Sequence, residues 1–212
     1  KYNRPDFIVH DPISIPHRFS KKQDIEIAGL FAATLAWGNR TSIINSCTKL
    51  MALMDNRPHE FILHHSAREL NPFTQFVHRT FNATDVLYFI EFLKQHYSSQ
   101  ESLESLFLAG DAAQGLIQFN HHFFSLAYHP ERTRKHVATP ERKSTCKRLN
   151  MYLRWMVRKD SNGVDFGIWK SIPSSCLYCP LDIHTGNVSR KLGLLDRSAN
   201  DWKTVELLTD QL

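Results

Sequence analysis

The sequence has no run of about 18 apolar residues, the length that a membrane-spanning helix requires. Four cysteines in 212 residues are too few for a disulfide scaffold, and the first residues lack the apolar core of a signal peptide. Hydrophobic residues make up 42% and charged residues 22%, a composition that excludes a disordered or low-complexity chain. We therefore expect a globular protein of the reducing cytoplasm.

Alternating β-branched and polar residues are also absent, so the apolar spacing predicts an all-α fold. The segment Asp24–Trp37 is rich in alanine and predicts a central helix, and Ser20–Gln23 before it fits a capping box. The 212 residues are expected to form a single helical domain. Within this domain we consider a division by a central cleft into two lobes, about 20–128 and 141–212 with the N-terminal residues, with 129–140 as an exposed connection. Helical spacing predicts further helices over 41–54, 84–97, 101–108, 111–127, 141–158, 185–192 and 200–212.

Positive charge is concentrated in one segment. The chain carries +5 overall, but residues 132–159 hold ten Lys or Arg and a single acid, Glu141, which gives this segment +9. Such a concentration is typical of proteins that bind a phosphate backbone. The alternative is a solvated helix face whose counter-charges lie elsewhere in the fold. The expected nucleic-acid contacts in this segment are Arg142, Lys143, Arg148, Arg154 and Arg158.

The segment with the most chemical information is 180–194, PLDIHTGNVSRKLGL. An Asp just before a helix, as Asp182 is, often acts only as its N-cap. The segment also resembles the V-D-T-H-x-x-R-V-x-x-R-L-G-L motif of the helix-hairpin-helix DNA glycosylases, such as endonuclease III. Thr185 follows the His instead of preceding it, which is a departure from that motif. The matching residues are Asp182, His184, Val188 and Leu192-Gly193-Leu194.

This resemblance implies a two-lobed, glycosylase-like fold in which Asp182 is the catalytic carboxylate and His184 contacts DNA. In some members of the family a lysine forms a Schiff base with the sugar. If this protein is closer to the archaeal 8-oxoguanine glycosylases, that lysine is Lys147, and Lys170 is the other candidate. Without such a lysine, the protein would be monofunctional or inactive.

A second match, over 26–41, resembles the first core helix of the same family, L-v-a-x-i-L-S-Q-Q-T. A polar residue after that helix inserts beside the flipped base, and Trp37, Asn39 and Arg40 occupy this place here. Trp37 and Trp169 are the expected stacking surfaces for a base, although core packing is the alternative for any tryptophan.

Two family features are absent from the sequence. Residues 162–181 contain no L-P-G-[VI]-G hairpin, and the four cysteines of the endonuclease III iron–sulfur cluster are missing. We therefore expect no cofactor. Cys176 and Cys179 form one C-x-x-C without a second pair, so no metal site is expected. The chain as a whole resembles an uncharacterised bacterial family.

The expected function is that of a DNA N-glycosylase, with or without lyase activity, that removes a flipped, damaged base. Its expected partner is duplex DNA with a lesion, bound by a monomer in the nucleoid. The alternative is a non-catalytic helical nucleic-acid-binding protein of the same fold. A metal-dependent hydrolase that uses the histidines is a more distant alternative.

Overall fold

The computed structural model describes residues 3–212, and they confirm the all-α prediction. Several short 3₁₀ turns join the helices, and the sheet in the described residues is one antiparallel ribbon, Val77–His78 (β1) with Phe81–Asn82 (β2). No helix in these residues is both long and apolar enough to cross a bilayer. The helices are Pro5–Ile8 (α1), Lys22–Leu35 (α2), Arg40–Leu53 (α3), Pro58–His64 (α4), Ala83–Tyr97 (α5), Ala112–Phe123 (α6), Lys147–Val157 (α7), Ile183–Lys191 (α8) and Trp202–Asp210 (α9).

The predicted central helix is α2, in which every residue from Ile25 to Leu35 is buried. Its start differs from the prediction. Lys21 takes the extended N-cap conformation and contributes no side-chain cap, so the capping box at Ser20 was wrong. Ser20 lies one residue too early in the chain for its hydroxyl to take that role.

The centre of the fold is the packing of α2 against α7. A Cβ atom on Gly29 would lie 2.9 Å from Met156 Cε and 3.1 Å from Tyr152 Cε2, so glycine lets the two helices approach. The Tyr152 hydroxyl also donates a hydrogen bond to the Glu26 carbonyl at 3.0 Å. Because α2 and α7 belong to the two predicted lobes, one hydrophobic core spans both ranges. The division into lobes stays a prediction.

The segment 129–140 is not the exposed connection that was expected. Thr133, His136 and Val137 are buried, and the Thr133 hydroxyl donates to Asp85 at 2.7 Å. Arg132 donates to the same fully buried carboxylate. Proline and charged side chains favoured an exposed loop, but a buried acid on α5 holds the segment against the body.

Two of the predicted helices differ most from the expectation. The first, 101–108, is only a 3₁₀ turn over Leu103–Phe107. The second begins at Lys147 instead of residue 141, because Lys143 and Cys146 have left-handed backbones with φ of +58° and +48°. Lys147 is therefore the first residue of α7, at the end of the helix where the candidate site lies.

Candidate active site

The ends of two helices bring Lys147 and Asp182 into contact. Lys147 is the first residue of α7, Asp182 is the N-cap of α8, and the Lys147 ammonium donates to Asp182 Oδ2. The other carboxylate oxygen, Oδ1, accepts the Thr185 backbone N–H at 2.8 Å. One oxygen therefore caps the helix while the other holds the lysine. The cap and the charged pair coexist in a single side chain.

The Asp182 carboxylate is held in its ionised form. Burial alone would raise its pKa, but hydrogen bonds from Lys147 and from the Thr185 amide outweigh burial and lower the pKa to about 2. The side chains of Lys147 and Asp182 are still 43% and 35% exposed. Both members of this charged pair are therefore accessible from solvent.

Lys147 lines a cleft of about 800 Å³, a volume within the usual range for small-molecule sites. The aromatic side chains Trp37 and Trp155 also line it. A carboxylate that sequence reasoning missed, Asp11, lies in the same wall. Burial raises the pKa of Asp11, and the positive charges of Arg40, Arg154 and Lys147 act against this rise. No sequence pattern marks Asp11, because only the tertiary fold brings it to these cations.

The two tryptophans that were expected to stack on a base lie in different environments. Trp37 is partly exposed and lines the cleft. Trp169 is only 1% exposed, and its indole N–H donates to the Glu26 carboxylate at 2.6 Å. Trp169 is therefore a core residue and not a stacking surface. Its hydrogen bond satisfies a fully buried acid on α2.

Several arginines of the basic segment are already engaged within the protein. Arg154 Nε lies 3.2 Å from Asp165 Oδ2, and Arg158 Nη2 lies 2.7 Å from Asp160 Oδ2. Arg148 donates to the Thr34 carbonyl, which fixes the end of α2, and burial lowers its pKa. Arg148 and Arg154 line the cleft, whereas Arg158 does not, and all three guanidinium groups are already engaged by partners within the protein.

Other cations remain exposed and form no ion pair within residues 3–212. Arg142 and Lys143 are exposed in the turn before α7, while Lys135 and Arg40 line the cleft. The positive surface is therefore smaller than the ten charges of the segment suggested, and it includes Arg40 from outside that segment.

The remaining candidate residues have the following places. Asn39 caps α3 by accepting the Ser42 amide at 3.3 Å, and His184 is exposed in the first turn of α8. The Lys170 ammonium donates to the Gly167 carbonyl, whereas Lys147 is the lysine that contacts Asp182. Between α7 and α8 the chain forms only loops and the 3₁₀ turn Ser174–Cys176. No helix-hairpin-helix precedes Asp182 in that segment.

Comparison with known proteins identifies the family. A family model described as a protein of unknown function, DUF2400, matches residues 11–212. The chain belongs to the DUF2400 family. The matched range contains Lys147, Asp182 and the lining of the cleft from Asp11 onwards. Searches of curated proteins and of solved structures gave no match.

The thiols of this DUF2400 member are not assembled for chemistry. Cys47 and Cys146 are buried, and burial raises the pKa of each to about 12. Cys176 and Cys179 are partly exposed and unbridged. Within the described part of the chain, no three His, Cys, Asp or Glu side chains form a group that could hold a metal ion.

Proposed function

We propose that this protein is a DNA N-glycosylase with lyase activity, in which Lys147 is the nucleophile and Asp182 its carboxylate partner. The observation that carries the proposal is the contact between these two side chains at the edge of the cleft. An amine next to an ionised carboxylate is suited to attack at a carbon that develops positive charge. As a repair enzyme, it would meet its substrate in the nucleoid.

The reaction begins with a proton transfer. The Lys147 ammonium must lose a proton before its nitrogen can attack, and the Asp182 carboxylate that accepts its hydrogen bond can receive that proton. The neutral amine then attacks C1′ of the deoxyribose. The C1′–N bond to the base breaks, and the base leaves with the bonding electron pair and takes up the proton that Asp182 received, so that the Asp182 carboxylate is ionised again.

The sugar then becomes attached to the protein. The C1′–O4′ bond then breaks and O4′ takes up a second proton from the nitrogen, and this opening of the sugar ring converts the C1′–Nζ bond into a protonated Schiff base. The ionised Asp182 lies beside the positive charge that develops at C1′ and stabilises it. The base must first leave the duplex, because C1′ is not accessible inside the stack. The cleft offers Trp37 and Trp155 as apolar walls for that base.

Borohydride trapping tests this proposal directly. The probe is a duplex with one abasic site, which presents the C1′ aldehyde and needs no knowledge of the lesion. Hydride reduces the Schiff base to a stable amine, so the wild type should give a covalent protein–DNA band. Lys147→Gln should abolish the band, because an amide cannot form the Schiff base.

Two other lysines supply matched controls. Lys170→Gln removes the alternative lysine, and Lys49→Gln removes an exposed lysine on α3. Both variants should trap at the wild-type level. An adduct that persists in Lys147→Gln would show that another amine is the nucleophile. Duplex binding without trapping or excision of any lesion in a panel would favour the non-catalytic nucleic-acid-binding alternative.

A further inference from the structure

One arginine of the cleft has a fixed guanidinium plane and two unused donor groups. Arg154 lines the cleft, and its side chain is 28% exposed. Its Nε lies 3.2 Å from Oδ2 of Asp165, whose side chain is fully buried. Neither Nη atom of Arg154 makes a hydrogen bond within residues 3–212. Because a guanidinium is planar, holding Nε also fixes the plane in which the two Nη groups can donate.

The other arginines that line the cleft lack this arrangement. Arg148 already donates through both Nη groups, from Nη1 to the Thr34 carbonyl and from Nη2 to two further carbonyl oxygens at 3.5 Å. The Arg40 guanidinium lies 5.8 Å from the centroid of the Phe7 ring, and no carboxylate in the described chain forms an ion pair with it. Arg154 is therefore the one whose orientation is fixed by an acid while both Nη groups remain available.

Arg154 lies on the same face of α7 as Lys147. Positions i, i+4 and i+7 share one face of a helix, and Lys147, Met151 and Arg154 all line the cleft. Seven residues correspond to about 10 Å along the helix axis, and helical side chains tilt back towards the N-terminus. A base whose C1′ lies at Lys147 would therefore extend along this wall towards the Arg154 guanidinium.

Two carboxylates accompany this guanidinium. Asp165 pairs with its Nε, and Asp11 lies in the same wall of the cleft. Burial raises the pKa of Asp11, and the positive charge of Arg154 is one of those that oppose this rise. Asp11 Oδ1 accepts the Ile13 amide at 3.1 Å, and its Oδ2 accepts no hydrogen bond within residues 3–212. The two acids would repel a phosphate, whereas a neutral group with acceptors for Arg154 and an N–H for Asp11 would satisfy both side chains.

We propose that Arg154 recognises the flipped base, and that the preferred base is a purine with a carbonyl at C6 and an unprotonated N7; this inference rests on the proposed function. The two Nη groups of an arginine match O6 and N7 of such a purine in a bidentate contact. The N1–H next to O6 then faces Asp11. Hypoxanthine, the product of adenine deamination, has this edge. Adenine carries an amino group at C6 and 8-oxoguanine a hydrogen at N7, so each sets a donor against a donor. Guanine shares the edge, but its full pairing with cytosine resists flipping.

The test separates recognition of the base from the chemistry at Lys147. Duplexes of one sequence carry hypoxanthine, 8-oxoguanine or adenine at the same position, always opposite cytosine, and excision rates are measured with protein in excess. A further duplex with an abasic site at that position reports borohydride trapping without any base. Arg154→Lys keeps the positive charge and loses the bidentate donor. Arg134→Lys is the matched control, because Arg134 Nε also pairs with a carboxylate, Glu131 at 2.9 Å, and its side chain is 25% exposed but does not line the cleft.

We expect the wild type to excise hypoxanthine about 10-fold faster than 8-oxoguanine or adenine, as one bidentate contact predicts. Arg154→Lys should excise hypoxanthine about 10-fold more slowly than the wild type, and its trapping on abasic DNA should stay within about 2-fold of the wild-type rate. Such trapping would also show that the variant is folded. Arg134→Lys should match the wild type on every duplex.

Three results would overturn the role of Arg154. The first is excision of 8-oxoguanine or adenine by the wild type as fast as hypoxanthine, and the second is unchanged hypoxanthine excision in Arg154→Lys. The third is an equal loss of excision and abasic trapping in that variant, which would indicate a phosphate contact. Wild-type trapping without hypoxanthine excision would refute this class of base and leave the proposed function intact. A wild type that neither traps nor excises would refute both.

Discussion

Replacing Asp182 by Asn separates its role as a helix cap from its role as a charged partner of Lys147. Asn keeps an oxygen for the Thr185 amide, and Asn caps helices about as well as Asp. The substitution removes the negative charge that faces the Lys147 ammonium. Since the pKa of Asp182 is lowered to about 2, the wild-type carboxylate stays ionised at every pH of a practical assay. The variant therefore has a neutral side chain at the pH of the assay.

The expected cost in stability is small. An ion pair between side chains that are 43% and 35% exposed contributes about 0–1 kcal/mol. In a chain of 212 residues, 1 kcal/mol corresponds to about 2–4 °C in Tm. Asp182→Asn should therefore lower Tm by no more than about 4 °C. Asp182→Ala also loses the cap, which costs about 0.5–2 kcal/mol more, so it should melt below the Asn variant.

The expected cost in activity is large. Removing one group that stabilises developing charge costs about 3–4 kcal/mol, or about 100- to 1,000-fold in rate. The rate of borohydride trapping on abasic DNA should fall by this factor in Asp182→Asn. Binding to duplex DNA should be retained or become tighter, because a negative charge near the phosphates is lost.

Asp201 offers a matched control for this experiment. It caps α9 by accepting the Thr204 amide at 3.1 Å, and its carboxylate is also paired with a cation, Arg197. Asp201→Asn should therefore show a similar small change in Tm and an unchanged trapping rate. If Asp182→Asn traps at the wild-type rate, or if Asp201→Asn loses as much, the catalytic interpretation of Asp182 is incorrect.

Two further predictions concern stability against pH and DNA binding against salt. The Asn82 amide and the Thr133 hydroxyl donate hydrogen bonds to the buried Asp85, and His136 Nε2 lies 3.3 Å from its Oδ2. These contacts outweigh burial and lower the pKa of Asp85 to about 2. Because the folded pKa lies below the unfolded value, this stabilisation is present above about pH 4 and is lost as the pH falls towards 2. Asp85→Asn should lower the free energy of unfolding by about 2 kcal/mol at pH 7. The difference between wild type and variant, measured by urea unfolding, should shrink between pH 4 and pH 2. A difference that stays constant over this range would contradict the assignment. Reversing Arg142 and Lys143 to Glu should reduce the slope of log K against log salt by about 1.8 for duplex DNA, and an unchanged slope would show that neither residue contacts a phosphate.

The prediction of the cleft from sequence was partial, and the reason is visible in particular residues. The motif around Asp182 identified a carboxylate at a helix start, which is a local property, and the structure has this cap. The sequence left Lys147 and Lys170 open as partners, because 35 and 12 residues of chain separate them from Asp182. The path of the loop after α7 takes Lys170 to the Gly167 carbonyl and leaves Lys147 beside the acid.

The amino-acid sequence by itself determined the helical class and the central, buried position of α2. Both follow from the spacing of apolar and small side chains within one segment, which acts over a few residues. The partner of each charge was decided by the tertiary structure alone. Arg154 pairs with Asp165, Arg132 with Asp85, and Arg79 rests on Trp37. Coulomb and stacking interactions depend on distances of a few ångströms, and only the folded path of the chain sets those distances. For this reason the composition of the basic segment predicted a phosphate-binding surface without showing which of its cations are already paired.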